Sequence, residues 1–303
     1  MSIQTKKINA LPPWLRLLRP HQWTKNLLLF LPALTSSNLL RFDIAVTLTL
    51  GVLAFSCAAS AGYVLNDIVD RDEDRRNPQK ASRPLANGDI KPHVAFGIGM
   101  VALFCSLTAS RIVSDQFFTL TCFYLLLSTT YSLGFKRFFL VDILVLISLY
   151  LLRIVAGAEA IETPLTHWLI AFSIAVFGSL SLMKRCAELM NIEKQGKDLI
   201  LGRGYKTKHL KLLCSSGFIL ALVAIVIFST YANDVAVLAR YSAPRIVWLV
   251  VPLFSIWILS LWRATYRGQM AEDPIVYVLT KTWSLTTIAA MFSLTLAAQN
   301  YQP

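Results

Sequence analysis

Asn66, Asp70 and Asp74 stand four residues apart, with Asp67 beside the first. On a helix that spacing sets oxygen-bearing side chains along one stripe, drifting by about 40° per step. Carboxylates so placed repel one another unless a positive charge lies between them. Hard oxygen ligands on one face suit Mg2+, which takes one or two carboxylates and adds water and phosphate oxygens. Asn66, Asp67, Asp70 and Asp74 are therefore candidate metal ligands, with Asp70 and Asp74 in the catalytic role. Lys80 and Arg83 follow, behind Asn77-Pro78 and before Pro84. The prolines end the helix and turn the chain back. Both cations then return over the stripe and neutralise phosphate charge that the metal leaves uncompensated. A metal–diphosphate site fits this chemistry. The bland reading is a solvated helix end laced with pairs such as Asp72–Arg76. Against it, Asn66 and Asp67 begin at membrane depth, where polar groups are expensive and usually functional.

The elements that must position these residues are membrane helices. The chain has 303 residues, 55% hydrophobic and 15% charged, whereas soluble domains carry about 25% charged residues. A hydrocarbon core of ~30 Å needs roughly 20 apolar residues per crossing. About nine such stretches are present, near 22–40, 44–66, 94–111, 116–135, 139–160, 166–187, 210–231, 245–262 and 283–300. The expected fold is all-α, a polytopic bundle in a single transmembrane domain over 1–303. Residues 1–21 form an interfacial N-terminal segment with Trp14 at headgroup depth and no apolar core of a cleavable signal. Two charged loops, about 67–93 and 184–209, recur four spans apart, which hints at an internal duplication.

Charge placement orients the bundle. Of the 29 Lys and Arg residues, 24 fall in one alternating set of segments, four (Arg41, Arg111, Arg240 and Arg245) in the other, and Arg153 lies inside a span. The positive-inside rule puts the basic set, the N-terminus and the polar loops in the cytoplasm. The expected setting is a bacterial inner membrane, crossed several times. The net charge of +12 is thus accounted for by topology and anionic headgroups, and nucleic acid is not an expected partner. Five cysteines are dispersed without paired spacing, which argues against a disulfide or metal framework. The four histidines are scattered, and Trp23, Trp168, Trp248, Trp262 and Trp283 read as an aromatic belt. A transporter would need polar residues deep in several spans; only Arg153 is clearly internal.

The stretch NDIVDRDEDRRNPQKASRP, residues 66–84, resembles the NDxxDxxxD motif of the UbiA superfamily of intramembrane prenyltransferases. The resemblance implies a UbiA-type bundle with about nine helices, and a motif that binds Mg2+ and a diphosphate substrate through Asn66, Asp67, Asp70 and Asp74. Members that prenylate aromatic rings carry a second aspartate-rich motif. Here the corresponding loop reads MKRCAELMNIEKQGKDLILGRGYKTKHL, with more cations than acids. Together with LRPHQWTKNLLLFLP and YSLGFKRFFLVDI, it is similar to the decaprenyl-phosphate phosphoribosyltransferase branch. That branch implies Mg2+-dependent transfer of 5-phosphoribose from phosphoribosyl pyrophosphate to a polyprenyl phosphate, which supplies arabinose donors for cell-wall glycans.

The substrate pair carries a diphosphate, a 5-phosphate and an acceptor phosphate, so one metal site and several separate cations are needed. Lys25, Lys80, Arg83, Tyr131, Lys136, Arg137, Lys184, Arg185, Arg203 and Tyr205 are the expected substrate contacts. Lys25, Lys136 and Arg137 are assigned to the lipid phosphate. Glu188, in a catalytic role, or Asp142 orients ribose hydroxyls. Arg153 is either a further phosphate contact or a structural pairing. Transfer of a prenyl group to an aromatic acceptor is the alternative, and a homo-oligomer is left open.

Overall fold

The computed structural model describes residues 11–36, 41–76, 80–196, 198, 204–239, 241–270 and 273–300. These residues are helical apart from turns, loops and one bridging residue, Lys206. They fall into two compact units. The first comprises 1–136 and 152–164; the second comprises 137–151 and 165–303.

The first unit opens with α1 (Pro13–Leu18), a 3-10 segment (Pro20–Phe30) and α2 (Leu31–Thr35). It continues with α3 (Phe42–Val69), the short α4 (Arg71–Arg76), α5 (Pro92–Val113) and α6 (Asp115–Leu133). α3 is 28 residues long, about 42 Å at the helical rise, and packs mainly against α5, α6 and the 3-10 segment. Two of its threonines fold back onto its own backbone: Thr47 and Thr49 donate to the carbonyls four residues earlier, at 3.0 and 2.7 Å. α6 starts where Ser114 accepts the Phe117 N–H, an N-cap that needs no loop between it and α5.

The helix α7 (Val141–Ala160) contributes its first half to the second unit and its second half to the first. The second unit also holds α8 (His167–Lys194), α9 (Leu210–Tyr231), α10 (Val235–Leu238), α11 (Pro244–Tyr266), α12 (Pro274–Thr280) and α13 (Thr282–Asn300). α8 is again 28 residues long, runs into a charged loop and packs on the helix that follows it. The order seen in α3 to α5 therefore repeats in α8 to α9, as the recurring loops suggest.

Among the described residues six helices are long and apolar enough to span a membrane: Phe42–Val69, Pro92–Val113, Val141–Ala160, His167–Lys194, Thr207–Tyr231 and Pro244–Tyr266. A seventh crossing arises if α12 and α13 form one span, although they bend by 88° at extended Lys281. Two of the nine expected spans differ for clear reasons. α6 is a 19-residue helix at the expected place, but Ser, Thr, Gln and Tyr dilute its apolarity. The stretch 22–40 is no continuous α-helix. Pro20 starts it, and Pro32 has no N–H to offer the Leu28 carbonyl, which accepts from Leu31 instead. Residues 37–40 lie outside the described residues.

Small residues let backbones meet, as membrane helix packing requires. A Cβ on Gly157 in α7 would stand 2.2 Å from the Leu29 carbonyl oxygen, and one on Gly217 in α9 would meet Trp262 at 2.6 Å. Gly157→Ala is expected to destabilise the purified protein by about 1–3 kcal/mol, because backbone cannot move aside as a side chain can. Gly97→Ala, at a helical position with open space around it, should not lower the melting temperature and should raise it slightly through helix propensity. Thermal unfolding in detergent checks both.

Candidate active site

The acidic stripe sits where α3 ends. Asp70 caps the helix, its N–H donating to Asn66 O at 2.8 Å, and α4 resumes at once with Asp74 N–H on Asp70 O at 2.8 Å. The chain therefore keeps near-helical spacing through all four candidates. Asp67, Asp70 and Asp74 are only 2%, 8% and 2% exposed. Burial of three carboxylates demands cations, and the side chains divide into two pairs around them.

Asn66 and Asp70 converge on Lys136. Its ammonium lies 3.2 Å from Asn66 Oδ1 and 2.8 and 2.6 Å from the two Asp70 oxygens. Asp67 and Asp74 converge on Arg83, whose Nη1 donates to Asp67 Oδ1 at 3.1 Å and to Asp74 Oδ2 at 2.5 Å. Lys80 stands 3.5 Å from Asp74 Oδ1. Arg19, outside the expected set, donates from Nη2 to Asp67 Oδ1 at 2.5 Å. The four candidate ligands thus form two convergent pairs. Among the described residues no group of three or more His, Cys, Asp or Glu could hold a metal ion. The Asn66–Asp70 pair fits Mg2+ best: hard oxygens from two side chains already meet at one cationic centre, leaving the remaining positions to water and phosphate.

The returning loop is well anchored. Arg83 N–H bonds Lys80 O and Asn87 N–H bonds Arg83 O, both at 2.9 Å, while Arg75 Nε reaches Ala86 O at 3.0 Å. Leu17 of α1 packs with Val64, Leu85, Ile90 and Ala95 beneath it, and Arg16 donates to Ser82 O. Asn77 and Pro78 lie outside the described residues.

Lys25 lies half-buried in the 3-10 segment, and Tyr131 half-buried in the last turns of α6. Asn26, beside Lys25, is fully buried. It donates to Ser56 Oγ at 3.0 Å and accepts from Arg153 Nε at 2.8 Å. Arg153 also donates to Tyr124 OH at 2.8 Å and lies 4.8 Å from that ring's centroid. In these contacts Arg153 ties α7 to the 3-10 segment and α6, the structural member of the two readings.

The second unit places Asp142, Arg185, Glu188 and Tyr205 together. Arg185 and Asp142 are fully buried. The guanidinium grips Asp142 through Nε and Nη2 at 2.5 and 3.1 Å and reaches Glu188 through Nη1 at 2.5 Å. Burial, then the Asp142 carboxylate, push the Tyr205 phenol well above its ordinary pKa, so it stays protonated. Gly204 lets this loop close onto the turn after α6, where a Cβ would lie 2.7 Å from Arg137 O; Arg137 itself is exposed. Lys184 pairs with Asp273 at 2.7 Å, and Asp273 also caps α12 through the Ile275 N–H. Sequence reasoning missed Asp273, although an acid before Pro274 is an N-cap signal. Arg203 lies outside the described residues.

Residues 27–285 match the sequence profile of the UbiA prenyltransferase family. The chain belongs to this family. The uncharacterized protein y4nM of Sinorhizobium fredii is 34% identical over 92% of this chain, and the chain spans about half of that protein's length, 54%. The decaprenyl-phosphate phosphoribosyltransferase of Mycolicibacterium smegmatis is 27% identical over 94% of both chains. Among solved structures, a UbiA homolog from Archaeoglobus fulgidus bound to GPP and Mg2+ superposes with a TM-score of 0.67 at 17% identity, covering 95% of this chain and 100% of that one. This UbiA-family chain is a multi-pass membrane protein.

Arg185→Met is expected to destabilise the purified protein by about 3 kcal/mol, since it takes the guanidinium from a fully buried carboxylate. Adding Asp142→Leu should recover part of that loss. A melting temperature unmoved by Arg185→Met would contradict the buried pairing.

Proposed function

We propose that this protein transfers 5-phosphoribose from phosphoribosyl pyrophosphate to a polyprenyl phosphate, releasing pyrophosphate. The reaction is Mg2+-dependent and runs at the cytoplasmic face of a bacterial inner membrane, with the N-terminus on that side. The observation that carries this reading is the match along 94% of both chains to a relative named for decaprenyl-phosphate phosphoribosyl transfer. The charge inventory supports it. One acidic stripe is ringed by Lys80, Arg83 and Lys136, and Lys184 adds a cation in the second unit. Glu188, in the last turns of α8 ahead of the loop where a second acidic motif would stand, is engaged by Arg185.

Asn66 and Asp70 would hold the Mg2+, with Asp67 and Asp74 completing the acidic face. When bound, the ion supplies positive charge against the leaving pyrophosphate. Arg83 and Lys80 bind the diphosphate and stabilise it as the C1–O bond breaks. C1 then carries oxocarbenium character, and the lipid phosphate, already an anion, attacks from the opposite face. No strong general base is required, and positioning supplies much of the rate. Lys25, Lys136 and Arg137 serve the lipid phosphate; Lys184, Arg203 and Tyr205 serve the other phosphate groups. Glu188 is the acid for the ribose hydroxyls. Asp142, sealed against Arg185, acts by holding that arginine.

Membranes containing the protein, incubated with labelled phosphoribosyl pyrophosphate, polyprenyl phosphate and Mg2+, should yield a labelled lipid. Chelation of divalent ions should stop the reaction. Asp70→Asn should lower the rate about 100-fold or more, and a rate within a few-fold of wild type would reject the metal assignment; Asp74→Asn, which frees Arg83 and Lys80 from their shared acid, should lower it through the diphosphate contacts. Consumption of a prenyl diphosphate with an aromatic acceptor instead would select the prenyl-transfer alternative.

A further inference from the structure

Arg19 occupies an unusual place in the chain. It joins α1 to the 3-10 segment with φ 52° and ψ 59°, the left-handed region, although it is not glycine. Such backbone is sparsely populated by L-residues and persists only where its surroundings fix it. Pro20 contributes by excluding the right-handed helical region for the residue before it. The result turns the guanidinium toward the end of α3. There it lies 5.0 Å from the Tyr63 ring centroid and donates to Asp67 Oδ1 at 2.5 Å.

The same carboxylate oxygen receives Arg83 Nη1 at 3.1 Å. Asp67 is thus a shared acceptor between two arginines 64 positions apart, 19 and 83. Charge arithmetic gives the arrangement a purpose. Asp67 and Asp74 bring two negative charges; Arg19, Lys80 and Arg83 bring three positive ones. Arg19 balances Asp67 and Lys80 balances Asp74, so one positive charge remains, and Arg83 is the group that contacts both acids. Remove Arg19 and the excess disappears: among the described residues Arg83 becomes the only cation hydrogen-bonded to Asp67.

We propose that Arg19 is a positioning residue that acts through Asp67 to orient Arg83 and keep its charge for an incoming diphosphate. Asp67 on this account positions an arginine; the metal pair is Asn66 and Asp70. The inference rests on the reading of Arg83 as a diphosphate contact, and it holds for either a phosphoribosyl or a prenyl donor, which share that group.

The test uses the purified full-length protein, titrated with magnesium pyrophosphate while the rise in melting temperature is followed. Arg19→Gln should raise the half-saturating concentration about tenfold, the scale of one lost charged hydrogen bond, and Arg19→Lys should restore it to within about threefold. The Arg19→Gln/Arg83→Gln double variant should bind no more weakly than Arg83→Gln alone. In the transfer assay Arg19→Gln should raise KM for phosphoribosyl pyrophosphate by the same factor, with kcat nearly unchanged. If Arg19→Gln does not fold, Asp67→Asn replaces it in the same cycle. Losses that multiply in the double variant, or a lowered melting temperature with an unshifted pyrophosphate midpoint, would reduce Arg19 to a structural residue and overturn the proposal. Protein that transfers no phosphoribose yet shows the tenfold shift would overturn the substrate reading alone.

Discussion

Three carboxylates buried to within a few per cent at the mouth of one membrane helix impose the strongest constraint on this chain. An uncompensated buried charge costs several kcal/mol even after relaxation. Asp67, Asp70 and Asp74 follow one another too closely for local sequence to neutralise them. Arg83 and Lys80 return on the adjoining loop, but the other compensating groups come from far away: Arg19 lies 48 positions from Asp67, and Lys136 lies 66 from Asp70. The first unit therefore cannot bury its acids until the N-terminal segment, the returning loop and the turn after α6 are all in place. The charges proposed for the chemistry also specify the fold around it.

The chemical identity of each counter-ion matters. Asp67 and Asp74 share a guanidinium, whose donors sit in a rigid fork and fix direction. Asn66 and Asp70 share an ammonium, a compact point charge on a flexible stem. The first pair is suited to holding an arginine in a set orientation, the second to meeting any compact cation at the same spot. The second unit uses a guanidinium again: Arg185 is side-on to Asp142 with neither exposed. A sealed pair of this kind contributes little net stability against an apolar replacement but specifies one packing strongly.

Much of this was legible in the sequence, and the rest was hidden for physical reasons. The four-residue spacing from Asn66 to Asp74 shows a stripe because helical periodicity is local. Long apolar runs show α3, α5 and α8 for the same reason. Partners are not local: nothing near Asp142 announces Arg185 as its ion pair, and both read equally well as substrate contacts. Arg19 looks like one more cation at a membrane edge. Only Pro20 marks its backbone as special. The division of the metal candidates into an Asn66–Asp70 pair and an Asp67–Asp74 pair depends on where Lys136 and Arg83 arrive, which spacing along α3 does not encode.

The first expected span shows how the same logic reaches the apolar part of the protein. Residues 20–30 form a 3-10 segment against the middle of α3, where Asn26 meets Ser56 and Leu29 meets Gly51. Irregular backbone at that depth is tolerated only when protein, and not lipid, surrounds it. Gly157 supplies that cover by admitting the Leu29 backbone directly against α7. Arg153 holds Asn26, and Trp23 donates to Ser60, whose hydroxyl in turn donates to Leu18 O at 2.9 Å. An α-helix here would close i→i+4 bonds; this segment closes tighter i→i+3 bonds of poorer geometry and is held in addition by these side-chain contacts. The irregular segment is pinned along its length, and it is this pinning that fixes Arg19 at its start and sets Lys25 about two turns further on.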